Sequence, residues 1–146
     1  LLGEPESIYA VTDRVSDLVK GEDLAQVIVR TPEASGVIDL SWASLPVSAK
    51  KEVSWGEYRV EGTEGTAAVS RDGVLTVVTD TERWDESFPE HSETLGYRNA
   101  LEHFVRGARE GFAFETSGVE SRKTMEYVFA AYESSRTGKI WRAPEK

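Results

Sequence analysis

The amino-acid sequence predicts an α+β fold, a mostly antiparallel open β-sheet with two helices packed on one face. Residues up to Thr79 contain short segments rich in β-forming side chains, separated by turns that contain glycine or proline. From Thr94 onward, apolar side chains recur at the spacing of an amphipathic helix. Because strands and helices occupy separate parts of the chain, an antiparallel sheet is favoured over alternating β–α–β units.

The first part of the chain predicts three strands. Ser7–Thr12 is rich in β-formers, and Leu24–Thr31 alternates apolar with polar side chains, as a strand with one buried face does. Pro32–Gly36 supplies a turn, so that Val37–Ala43 returns as the second half of a hairpin. Leu45–Lys51 shows no clear periodicity, and we expect a loop or the edge of a strand there.

Three further segments are expected to form strands of a β-meander. They are Tyr58–Glu61, Thr66–Ser70 and Val74–Thr79. The Asp72-Gly73 pair between the last two favours a tight hairpin, because glycine accepts positive φ without strain. With a short closing strand at Lys139–Arg142, we expect about six or seven strands in all.

Two amphipathic helices are predicted after the meander. The apolar stripe of the first helix consists of Tyr97, Leu101, Phe104, Val105 and Ala108. Gly111 ends this pattern, as glycine commonly does at a helix C-terminus. The second helix begins with Ser117 and Glu120 at the spacing of a capping box, and it ends at Gly138. Its apolar stripe consists of Met125, Val128, Phe129 and Tyr132.

Composition excludes several classes of function. The 146 residues fit one globular domain. A formal net charge of -9 argues against nucleic-acid binding, which needs a clustered positive field. Without cysteine, the chain has no disulfide, no thiolate zinc site and no cysteine nucleophile. No apolar run is long enough to span a membrane and no secretion signal opens the chain, so we expect a cytoplasmic protein.

The sequence carries no recognisable catalytic motif. A dinucleotide site needs a G-x-G-x-x-G turn between strand and helix, and this run is absent, as are the phosphate loop and the nucleophile elbow. Only His91 and His103 could act as near-neutral acid–base groups, and we expect His103 to be solvated. Metal-ligand spacings are also absent. We therefore assign no catalytic, cofactor-binding or metal-binding residue.

Three stretches of the chain together resemble the C-terminal domain of the glucose-fructose oxidoreductase, inositol dehydrogenase and rhizopine-catabolism (Gfo/Idh/MocA) oxidoreductase family. Leu1–Ala10 resembles the junction where the helix bearing that family's catalytic Asp and His ends and its sheet begins. Glu61–Thr66 resembles its mid-sheet turn, and Ala130–Trp141 resembles its last helix and strand. Their order and separation match those of the family.

The resemblance implies that residues 1–146 form the C-terminal, substrate-side domain of a two-domain oxidoreductase. An N-terminal Rossmann domain, absent from this chain, would bind NAD or NADP, so no cofactor is expected here. Hydride would pass between the nicotinamide and a sugar or polyol, with a Lys and an Asp/His pair moving protons. Those groups would lie upstream of Leu1, so no catalytic residue is carried over and this chain alone is expected to be inactive.

Three side chains are candidates for substrate binding. By resemblance, the segment before the Glu61 turn and the loop before Tyr97 approach the substrate, which indicates Trp55, His91 and Tyr97. An aromatic plane beside polar groups suits a sugar ring. Packing in a core or an interface is the alternative for the two aromatic residues, and an exposed loop position is the alternative for His91.

The predicted sheet also indicates partners. Two helices cover one face only, and a large exposed apolar patch is unusual on a monomer. We expect the other face to be covered by the N-terminal domain or by a second copy, through the Ile38, Leu40 and Trp42 set or the opposite set at Val37 and Ala43. The alternative function is a non-catalytic, stand-alone binding or interaction module of the same fold.

Overall fold

The computed structural model of the chain describes residues 3–17, 19–42, 56–70, 73–88, 93–114 and 116–144. The chain forms two compact units. Unit 1 consists of Leu1–Leu45 with Glu115–Lys146, and unit 2 consists of Pro46–Phe114. In chain order, the elements are β1 (Ser7–Asp13), β2 (Leu24–Arg30), β3 (Ser35–Ser41), β4 (Tyr58–Gly62), β5 (Gly65–Val69), β6 (Val74–Thr79), β7 (Arg83–Ser87), α1 (Glu93–Glu110), α2 (Gly118–Thr137) and β8 (Trp141–Arg142). Within the described ranges, neither helix is long and apolar enough to cross a membrane.

Unit 1 is built on a four-stranded antiparallel sheet in the order β3-β2-β1-β8. Ile8 and Ala10 of β1 are 2% and 1% exposed, because their face of the sheet is covered by α2. On the same face, the hydroxyl groups of Thr12 and Ser135 are hydrogen-bonded at 2.9 Å. The core of unit 1 therefore lies between this face and α2.

Helix α2 begins and ends at the predicted residues. The Ser117 side chain accepts a hydrogen bond from the N–H of Glu120 at 3.3 Å, which satisfies one of the free donors at the helix N-terminus. Gly138 adopts a φ of 67° and donates its N–H to the carbonyl of Ser134. Glycine tolerates this left-handed conformation, so the helix can end there without strain.

The face of α2 that packs on the sheet differs from the predicted apolar stripe. The buried or half-buried residues of the helix are Lys123, Tyr127, Ala130, Ala131, Ser134 and Ser135. The predicted stripe, Met125, Val128, Phe129 and Tyr132, is instead between 40% and 64% exposed. Because the side chains at a contact set the distance between packed elements, small alanine and serine residues let α2 approach β1 more closely than the bulky stripe would.

Unit 2 contains a second four-stranded antiparallel sheet, in the order β4-β5-β6-β7. Gly65 opens β5 at a point where β6 passes very close, since a Cβ on Gly65 would lie 2.4 Å from the carbonyl oxygen of Val78. Gly73 forms the turn before β6 with a φ of 75°, as the tight-hairpin prediction requires. One row across this sheet consists of Val60, Ala67, Val77 and Trp84.

Helix α1 is followed by a segment that folds back onto it. Gly111 has a φ of 73°, which allows the chain to reverse. The ring of Phe114 stacks on Phe104 with centroids 5.2 Å apart, and His103 lies 5.3 Å from the Phe112 ring and 6.2 Å from the Phe114 ring. His103 is half-buried beside these phenylalanines, so it is less exposed than the expectation of a solvated side chain suggests.

The α+β class and the antiparallel arrangement are confirmed, and the strands are divided between two sheets of four. Strand β7 was not among the predicted segments. Its sequence, Arg-Trp-Asp-Glu-Ser, is dominated by charged residues and contains no β-branched residue, so its strand signal is weak. The predicted loop or edge strand at Leu45–Lys51 lies outside the described residues.

Candidate functional site

One of the three predicted substrate-binding residues lies in the described part of the chain. Tyr97 is on α1 in unit 2 and is 70% exposed, so its ring is available to a partner. Trp55 and His91 lie outside the described residues. The grouping of these three side chains around a substrate therefore stays a prediction.

A buried carboxylate organises the loop between β1 and β2. Asp23, which is 2% exposed, accepts hydrogen bonds from the N–H groups of Val15 and Ser16 at 2.7 and 2.8 Å and from the Ser16 hydroxyl. These bonds, above all that from the Ser16 hydroxyl, hold the pKa of Asp23 below its ordinary value. The backbone of Asp23 also bonds to Asp13 at 3.0 Å and to Trp42 at 2.8 Å. One residue thus joins the loop, the end of β1 and the residue after β3.

The neighbouring residue, Glu22, connects the same loop to α2. The hydroxyl of Tyr132 donates a hydrogen bond to the Glu22 carboxylate. This bond lowers the pKa of Glu22 because it stabilises the ionised carboxylate, and it raises the pKa of Tyr132 because the donor proton is held in place. Both groups are exposed, so the pair lies where a polar partner could reach it.

A groove lies at the opposite end of the unit 1 sheet. It is lined by residues 3–6, the turn at 32–34, residues 126–127 of α2 and residues 141–144. Within it the rings of Tyr127 and Trp141 meet edge to face, with centroids 6.3 Å apart. Two carboxylates on its rim form ion pairs, Glu4 with Lys123 at 3.7 Å and Glu126 with Arg122 at 3.5 Å. The groove therefore combines an aromatic floor with rim carboxylates that are paired with basic side chains of α2.

Two serine hydroxyls of α2 lie along β1 beyond the end of β8, which pairs with β1 over two residues only. The N–H of Ala10 donates to the Ser134 hydroxyl at 3.1 Å, and the N–H of Thr12 donates to the Ser135 hydroxyl at 2.9 Å. Ser134 in turn donates to the carbonyl of Lys139 at 2.7 Å. These hydrogen bonds provide acceptors for backbone N–H groups that would otherwise need acceptors on a neighbouring strand.

The hydrogen bonds of Asp23, Glu22 and the two α2 serines hold parts of unit 1 in position. The Asp23 carboxylate is occupied by donors of its own loop, so it acts as a structural anchor. Across the ranges that the structure describes, no three His, Asp or Glu side chains are grouped so that they could hold a metal ion. Sequence reasoning missed both Asp23 and Glu22, because single acidic residues before a strand resemble ordinary surface acids. The one available signal was their place directly before the alternating strand β2.

The sequence of this chain is similar to those of two D-apiose dehydrogenases. The chain is 29% identical to D-apiose dehydrogenase of Paraburkholderia graminis, over 95% of this chain and 40% of that protein. It is 28% identical to D-apiose dehydrogenase of Rhizobium rhizogenes, over 95% of this chain and 43% of that protein. The chain thus spans about two-fifths of the length of the curated relatives that it matches. No family model matches the sequence.

Solved structures of several oxidoreductases contain the same fold. An oxidoreductase from Agrobacterium radiobacter, in complex with NAD+, L-tartaric acid and magnesium, matches with a TM-score of 0.84 and 24% identity over 97% of this chain and 44% of that chain. The aldose-aldose oxidoreductase from Caulobacter crescentus, complexed with glycerol, matches with a TM-score of 0.72 and 18% identity over 96% of this chain and 42% of that chain. In both structures the shared fold is a part of a longer chain.

Proposed function

We propose that this chain is the C-terminal, substrate-side domain of an NAD(P)-dependent oxidoreductase that acts on a sugar or polyol. The observation that carries the proposal is the similarity to two D-apiose dehydrogenases along 95% of the chain. The likeness in fold to oxidoreductases crystallised with NAD+ or NADH supports it further. Because fold alone does not define function, the sequence similarity has the greater weight.

In this proposal, the cofactor is bound by a Rossmann domain outside the chain. The match leaves about three-fifths of each curated relative uncovered, which is ample length for a nucleotide-binding domain. The cofactor would supply the hydride chemistry, while this chain would help to wall the substrate pocket. Trp55, His91 and Tyr97 are the proposed substrate contacts, and the exposed ring of Tyr97 is consistent with that role.

The reading frame upstream of Leu1 provides the first test. We expect about 120 to 200 further codons that encode a Rossmann domain, which is the length of one domain. The complete protein should reduce NAD+ or NADP+ when it is given D-apiose or another sugar or polyol, as measured by nicotinamide absorbance. The 146-residue chain, purified in parallel, is the matched control and should show no turnover.

Calorimetry on the 146-residue chain tests the domain assignment, whereas the upstream reading frame separates the proposal from the stand-alone module. Titration with NAD(H) and NADP(H) should give no saturable heat, because the nucleotide-binding domain is proposed to lie elsewhere. Micromolar binding by the chain alone would overturn the domain assignment. A complete protein that binds dinucleotide but oxidises no sugar or polyol would overturn the substrate class, and a start codon close to Leu1 would favour the stand-alone module.

We further propose that unit 1 binds a second copy through the sheet face opposite α2. Tyr9, Ile28 and Val37 are register partners across β1, β2 and β3, so they form one continuous apolar row. They are 38%, 50% and 74% exposed. Val11, two residues along β1, adds to this apolar surface. An exposed apolar row of this kind suits burial against another chain.

The register supports the Val37 set over the alternative set at Ile38, Leu40 and Trp42. Ile38 pairs with Val27, which pairs with the buried Ala10, so Ile38 lies on the face that α2 already covers at β1. Ala43, the other member of the Val37 set, lies outside the described residues.

A Val37→Asp substitution tests the proposed contact, because it places a charge at the β3 end of the apolar row, on its most exposed member. By light scattering at about tens of micromolar, we expect the unmodified chain to have twice its monomer mass of 16.2 kDa and the variant to be monomeric. Val119→Asp is the matched control, since Val119 is 62% exposed on the first turn of α2, away from the sheet. A monomeric unmodified chain, or a Val37→Asp chain of unchanged mass, would contradict the proposal.

A further inference from the structure

We draw no further inference here: the strongest candidate, the groove at the end of the unit 1 sheet with the Tyr127 and Trp141 rings as its floor, has rim carboxylates that are paired with Arg122 and Lys123, and nothing in the structure shows what covers it.

Discussion

Asp23 holds the loop between β1 and β2 through a carboxylate that is both buried and stabilised in its ionised form. Asp23→Asn keeps the size of the side chain but replaces one acceptor oxygen with a donor, which would face backbone N–H groups. We expect the melting temperature at neutral pH to fall by roughly 5 °C, measured by circular dichroism. Asp17→Asn is the control, because Asp17 is a fully exposed carboxylate that pairs with Arg14.

The pH dependence of this effect follows from the lowered pKa of Asp23. Its ordinary value is 3.8, and the folded protein holds it lower, so the stabilisation is fully present above pH 3.8. It is lost as the pH falls through the lower, folded-state pKa. The difference in melting temperature between the unmodified chain and Asp23→Asn should therefore shrink below pH 3.8. A difference that stays constant down to strongly acidic pH would show that the charge of Asp23 is not responsible.

A substitution at Gly65 tests how closely β5 and β6 approach each other in unit 2. Gly65→Ala places a Cβ 2.4 Å from a backbone carbonyl oxygen, so one strand must move. We expect a loss of about 1–3 kcal/mol in the free energy of unfolding, measured with urea. Gly62→Ala is the matched control, because the nearest atom to its Cβ would be 3.8 Å away. Equal effects of the two substitutions would argue against the close approach.

Ser134 joins β1, α2 and the segment before β8 through one hydroxyl group. Ser134→Ala leaves the N–H of Ala10 and the carbonyl of Lys139 without this partner in a site that is 1% exposed at Ser134. The expected cost is about 1–3 kcal/mol of unfolding free energy, read from urea denaturation. Ser121→Ala, on the exposed side of the same helix, should change stability by less than about 0.5 kcal/mol. A Ser134→Ala chain as stable as the Ser121→Ala chain would contradict this role.

At the scale of elements, the boundaries of α2 were predictable and its buried face was not. Ser117 and Gly138 mark the ends with side-chain and backbone chemistry that depends only on local sequence. The buried face depends on what α2 packs against. Periodicity selects the largest apolar residues, whereas the contact with β1 uses alanine and serine because the helix must come close enough for hydroxyl groups to reach strand donors.

The candidate site, like α2, could be predicted only in part from the sequence. Tyr97 is exposed on α1, and its role in substrate binding stays a prediction. The sequence alone could not show that Asp23 is buried, or that Glu22 bonds to Tyr132, which is 110 residues away. The partial burial of His103 was not predictable for a related reason. Its environment is created by Phe112 and Phe114, which return only after Gly111 reverses the chain.

For the whole molecule, the α+β class was predictable because strands and helices are segregated along the sequence, as the described elements confirm. The division of the strands between two sheets depends on pairings over long separations, which local patterns do not specify. The chain matches about two-fifths of the length of its curated relatives, and the activity that we propose is that of a longer protein. The turnover measurement therefore compares this chain with the complete protein.

The serine hydroxyls beside β1 have a consequence for aggregation. An exposed strand edge with unused N–H groups is a template to which other chains can add, and such additions lead to fibrils. Along β1, the donors of Ala10 and Thr12 already bond to Ser134 and Ser135. A foreign strand could add there only by first displacing α2, so this border of the sheet resists fibril growth for as long as the helix stays in place.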